Sequence, residues 1–191
     1  MSKKRIKEII RVNQAGELGA IQIYKGQLAV LKNKPIANDL KDMLSKEKKH
    51  YDKFNELLNS YEVRPTIFGP IWKTGAFGLG VLTAILGKKA THACTEAVEE
   101  VIIDHYQKQT QYLKGKDNNL AKITKKFCKE EKEHLDFASE HDTGWATSGN
   151  LGQPRETEHF LLQAMGGIQA TSDVLVIGDE SLPHAWESFA P

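Results

Sequence analysis

The chain has 191 residues, 27% of them charged and 40% hydrophobic, with a formal net charge of +1. That length is enough for one domain with a real core, and the near-neutral charge offers no overall field for nucleic acid. The two cysteines, Cys94 and Cys128, form no C-x-x-C pair, which excludes a disulfide scaffold or zinc knuckle and suits a reducing compartment.

The first helical pattern runs from about Ile6 to Leu31. Ile10, Glu17, Ala20, Ile21, Tyr24 and Leu28 fall on one face, and Glu17 is the one charge on it. Gly16 and Gly19 flank that charge, at a cost of about 1 kcal/mol each against alanine in a helix interior. Close approach of a backbone or ligand would explain them. The basic start, Lys3, Lys4, Arg5, Lys7 and Arg11, reads most simply as a solvated helix end, with attraction to anionic lipid as the functional alternative. No secretory or transit segment is read ahead of this helix, which suits a bacterial chain or a processed organellar one.

A second helix is expected from about Pro35 to Tyr61. Its stripe, from Ile36 through Leu40, Met43 and Leu44 to Phe54, Leu57, Leu58 and Tyr61, is interrupted by Glu47 and His50. Lys41, Lys46, Lys48, Lys49 and Lys53 make the opposite, solvated face. Arg64 to Pro70 cannot continue a helix. Thr74 to Gly87 then runs 14 residues without a charge, short of the roughly 20 that span a bilayer. It suits either a buried core helix or a segment lying in a membrane interface, with Trp72, Lys73, Lys88 and Lys89 at its edges.

A third long helix, about Ala90 to Leu113, presents Glu99, Ile102, Ile103, Tyr106 and Leu113 on one face. After the turn Gly115–Asn119, a fourth runs from about Leu120 to His141 with Leu120, Ile123, Phe127, Glu131, His134 and Ala138 as its stripe. From Thr143 to Pro191 the composition changes. This tail reads as a loosely structured second region, 143–191, after a first domain at 1–142. Within it, Glu156 to Ile168 suits a helix and Val174 to Ile177 a short strand.

The two halves repeat. Setting Glu17 on Glu99 pairs Ala15, Ile21, Tyr24 and Gln27 with Ala97, Ile103, Tyr106 and Gln109. Setting Glu47 on Glu131 pairs Lys48, His50 and Asp52 with Lys132, His134 and Asp136. The interval is 30 residues from Glu17 to Glu47 and 32 from Glu99 to Glu131. Each half is therefore a helical hairpin with a lone Glu on one helix and Glu-x-x-His on the other, and residues three apart share a helix face. Two such hairpins give an all-α, ferritin-like four-helix bundle with the apolar segment between them. The candidate metal ligands are Glu17, Glu47, His50, Glu99, Glu131 and His134, the set used by di-iron carboxylate bundles. Four glutamates and two neutral imidazoles balance two divalent cations. The mixed oxygen and nitrogen donors, without thiolate, favour iron over structural zinc and leave manganese open.

Several segments also carry a family resemblance: Val12-Asn13-Gln14-Ala15-Gly16-Glu17, Glu47-Lys48-Lys49-His50, Phe54-Asn55-Glu56-Leu57, Arg64-Pro65-Thr66, Ala93-Cys94-Thr95, Ala97-Val98-Glu99-Glu100, His105-Tyr106 and Glu130-Glu131-Lys132-Glu133-His134. They resemble demethoxyubiquinone hydroxylases over about residues 5 to 142. The resemblance implies a ferritin-like di-iron monooxygenase that uses dioxygen on a polyprenylated methoxy-methyl quinol in ubiquinone biosynthesis. It implies the same six ligands and two iron ions. The external reductant is open, with NADH, the quinol and a partner as candidates. It gives His105 and Tyr106 an auxiliary or electron-delivery role near the iron, and it makes Thr74 to Gly87 a membrane-docking segment. The expected place is peripheral, on the cytoplasmic face of a bacterial inner membrane or on the mitochondrial inner membrane, with a homo-oligomer or a quinone-biosynthesis complex as assemblies. Thr143 onward does not match the short apolar helix that closes family members. The alternatives are another ferritin-like di-iron oxidase or peroxidase, or a non-catalytic iron- or quinone-binding protein.

Overall fold

Apolar stripes at helical spacing are buried together when helices pack side by side. The computed structural model describes residues 2–141, which form α1 (Ser2–Leu31), α2 (Ala37–Ser60), α3 (Gly69–Leu86), α4 (Lys88–Leu113) and α5 (Asn118–His141). α1 packs on α2 and α4 on α5, so each half is a hairpin. The result is all-α, a ferritin-like bundle of paired hairpins. The tail's expected helix and strand, and the proposed boundary at 142, lie outside the described residues.

Local chemistry sets the helix ends. Pro35 lies in the α1–α2 turn, which closes through the Lys34 amide on the Leu31 carbonyl at 2.9 Å. α2 stops where Glu62 takes a positive φ of 53° and the Val63 amide donates back to the Leu58 carbonyl at 2.8 Å. That is a Schellman-type stop. The Asp117 carboxylate accepts the Leu120 amide at 2.9 Å and so caps α5.

The core has two apolar clusters. One gathers Ile6, Ile9 and Ile10 with Phe54, Leu57, Leu113, Leu120 and Phe127. The other gathers Ala20, Ile23 and Tyr24 with Leu40, Met43, Ala97 and Val98. Along α1 the first ends at Ile10 and the second begins at Ala20, and Glu17 falls between them. Both cysteines are buried, and burial pushes the Cys94 thiol up to about 12, so it behaves as an inert core residue.

α3 departs from the sequence reading at its start. Gly69 and Pro70 already belong to it, because proline is tolerated in a helix's first turn. The helix therefore has 18 residues, long and apolar enough to cross a membrane by length and composition, and only 22% of it is buried. Its inward face is made of small residues, Ala76, Gly80, Thr83 and Ala84. A Cβ on Gly80 would meet the Ile23 carbonyl, and one on Gly26 would meet the Phe77 carbonyl, so α1 and α3 touch backbone to backbone. At Gly19 a Cβ would stand 2.8 Å from the Trp72 indole nitrogen, which donates to the Ala15 carbonyl at 2.9 Å. Gly16 has open space around it, and nothing in the fold explains it.

Candidate metal centre

α1, α2, α4 and α5 each aim their interrupting polar residues at one buried layer. Glu17, Glu47, Glu99 and Glu131 are at most 1% exposed, His50 2% and His134 1%. These are the charges that helical spacing placed on apolar stripes, and tertiary packing brings all six together. They form two overlapping groups whose donor atoms lie within 4.8 Å of one another. One is Glu17, Glu47, His50 and Glu131; the other is Glu47, Glu99, Glu131 and His134. Glu47 and Glu131 belong to both.

The histidines face inward through the same atom. His50 Nδ1 lies 2.8 Å from Glu131 Oε1 and 3.7 Å from Glu17 Oε2. His134 Nδ1 lies 3.0 Å from Glu131 Oε2 and 3.3 Å from Glu47 Oε1. Burial works against the imidazolium form, but the surrounding carboxylates prevail and push His50 up to about 11 and His134 up to about 12. Burial, with Glu131 nearby, raises Glu47 well above the carboxylate range and Glu99 to about 8. Burial also pushes on Glu131, but the imidazoles of His134 and His50 beside it overcome that and bring it down to about 2.

Whether these residues fit a metal pair is decided by their own unspent valence. Both oxygens of Glu47 and of Glu131, Oε2 of Glu17 and of Glu99, and Nδ1 of both histidines are buried without a hydrogen-bond donor or acceptor aimed correctly at them. Buried polar atoms are rarely left so. Oxygen and imidazole donors converging from four helices suit two divalent cations, whose charge the four carboxylates would neutralise.

Two tyrosines bind the lone glutamates crosswise. Tyr24 on α1 donates to Glu99 Oε1 on α4 at 2.6 Å, and Tyr106 on α4 donates to Glu17 Oε1 on α1. Burial and the adjoining carboxylate raise both hydroxyls well above the phenol range, so they stay donors. The sequence singled out Tyr106 and left Tyr24 as core; the signal for Tyr24 was its pairing with Tyr106 in the repeat. His105 is half-buried beside Tyr106, not among the six. Glu130, set aside in favour of Glu131, places Oε2 2.8 Å from His50 Nε2. Lys46 and Lys53, read as a solvated face, are half-buried and line a cavity of about 430 Å³ that opens onto His50 and Phe127.

A family model described as ubiquinone biosynthesis protein COQ7 matches residues 4–151. The chain belongs to this family. Among COQ7 relatives, a Dictyostelium discoideum protein is 46% identical over 145 residues, covering 74% of this chain and 67% of its own length. A Rattus norvegicus protein is 42% identical over 155 residues, covering 79% of this chain and 71% of its own length. Both are named NADPH-dependent 3-demethoxyubiquinone 3-hydroxylase, mitochondrial. A Rhodospirillum rubrum protein named 3-demethoxyubiquinol 3-hydroxylase is 43% identical over 133 residues, covering 69% of this chain and 63% of its own length.

Proposed function

We propose that this chain is a dioxygen-dependent di-iron monooxygenase that hydroxylates the ring of a polyprenylated demethoxyubiquinol in ubiquinone biosynthesis. The observation that carries the reading is the pair of overlapping Glu/His groups that share Glu47 and Glu131, in a chain of this family. Glu17, Glu47, His50, Glu99, Glu131 and His134 would hold the two ions, with Glu47 and Glu131 offering donors in both groups. When bound and reduced, two iron ions supply the activation of dioxygen that lets one oxygen atom enter the quinol ring.

The chain's own residues supply order and dryness. The hydroxyls of Tyr106 and Tyr24 restrain Glu17 and Glu99, each through one oxygen, and leave the other oxygen free to bind. Phe54, Tyr106 and Phe127 pack ring to ring beside His50 and keep bulk water away. His105, next to Tyr106 on α4, is the candidate for electron delivery. The reductant is a reduced nicotinamide dinucleotide, supported by the NADPH in the relatives' names.

The outward face of α3 supports a peripheral membrane position. Ile71 is 73% exposed, Ile85 67% and Leu86 64%, with Ile67 at 81% just before the helix. Moving a polyprenyl tail into water costs about 0.8 kcal/mol per methylene, and docking at the bilayer avoids that transfer. The membrane is the mitochondrial or bacterial inner one.

The test is complementation of a strain that accumulates the demethoxy quinone, with the quinone profile read by mass spectrometry. Restored ubiquinone is expected. A chain that carries two irons and binds membranes yet leaves the demethoxy compound unchanged would overturn the reading.

A further inference from the structure

We propose that Glu130 is a positioning residue for His50, and that its presence in one half only makes the two metal positions unequal. This rests on the di-metal reading above. His50 offers Nδ1 to Glu131, Glu17 and Glu47, and turns Nε2 outward to Glu130 Oε2 at 2.8 Å. A metal taken up at Nδ1 leaves the ring proton on Nε2, where Glu130 accepts it. That bond sets the tautomer, holds the ring plane and makes Nδ1 a better donor. Phe127 holds the same ring from its face, with centroids 4.0 Å apart. Glu130 is itself steadied, because its other oxygen lies 3.6 Å from Lys126 Nζ.

Among the described residues, His134 has no such support. Its Nε2 is buried and has no hydrogen-bond partner among the described residues. The repeat explains why. Setting Glu47 on Glu131 sets Lys46 on Glu130, so the first half carries a cation where the second carries the outer carboxylate. The symmetric six-residue centre is thus asymmetric one layer out. The position served by Glu17 and His50 holds its ion more tightly than the one served by Glu99 and His134. Glu130 is about one-third exposed and opens onto the cavity lined by Lys46 and Lys126, so its replacement leaves the packed core untouched.

The experiment is an anaerobic titration of the full metal-free chain with Co²⁺, followed by visible absorption. The wild type is expected to fill in two resolved steps. Glu130→Ala weakens the tighter step by roughly 10- to 100-fold and leaves the weaker one in place. Glu130→Gln keeps the shape and an acceptor oxygen but not the charge, and gives a smaller loss on the same step. Unchanged far-UV circular dichroism of the metal-free variants separates lost positioning from lost fold, and the glutamine variant carries the test should the alanine variant unfold. If the wild type takes up two ions while both variants leave the steps unchanged, or weaken them equally, the role of Glu130 is overturned and the di-metal reading stands. A wild type that takes up fewer than two ions overturns both.

Discussion

The buried layer between the hairpins and the outward face of α3 invert the usual pattern in opposite senses. In the layer, four carboxylates sit where a bundle ordinarily places leucine. On α3, the large apolar residues point outward and the small ones point in. Each inversion costs stability alone, and each makes sense once something absent from the chain itself is supplied: cations for the layer, an apolar phase for the helix. Places where a chain breaks its own local rules are where function is expected.

The layer is the more demanding of the two, so breaking it gives the largest effect. Glu131 belongs to both donor groups. Glu131→Ala is expected to drop iron, counted per chain, from two to below one and to abolish hydroxylation. Glu99→Ala or His134→Ala is expected to abolish turnover as well. A variant with full hydroxylation in the quinone profile would break the ligand assignment.

On α3 the corresponding change is Ile71, Ile85 and Leu86 to Asp together. Each buried aliphatic side chain is worth about 1.5–3 kcal/mol, so affinity for vesicles of inner-membrane composition should fall at least about 100-fold. Metal content should stay at the wild-type level. Loss of metal in this variant would show that the two regions are one cooperative unit.

Gly80→Ala tests the seam between them. The new methyl would meet the Ile23 carbonyl, and backbone cannot step aside as a side chain can. Overpacking of this kind costs about 1–3 kcal/mol, read as a lower thermal midpoint. Gly16→Ala, with open space, should be neutral or slightly stabilising.

A pH dependence is also expected, confined to the layer. Glu99, His50 and His134 have folded-state values of about 8, 11 and 12, each above its value in an unfolded chain. The folded metal-free protein therefore binds more protons than the unfolded one between pH 7 and 9, and its stability falls as pH rises through that window. Metal displaces those protons. The thermal midpoint of the loaded protein should shift less, and metal affinity should increase with pH. Equal shifts with and without metal would contradict this.

Much of this was legible before the fold. Glu47 and His50 stood out because helical spacing put them in line with Met43, Phe54 and Leu57, and the second hairpin repeated the pattern. α3 was legible as apolar, but its facing was not. Composition cannot distinguish a helix buried on all sides from one that buries only Ala76, Gly80, Thr83 and Ala84. The crossing of Tyr24 to Glu99 and Tyr106 to Glu17 was also hidden, since each bond joins helices of different hairpins.

The sequence by itself determined which side chains share a helix face, because that follows from 3.6 residues per turn and nothing else. It therefore determined the six inward residues and their division into two like hairpins. Only the tertiary structure decided that Glu47 and Glu131 serve both donor groups, that each tyrosine serves the opposite glutamate, and that Glu130 reaches His50 from outside. Those are distances between helices, and they depend on how two hairpins pack and how far each side chain reaches across the gap.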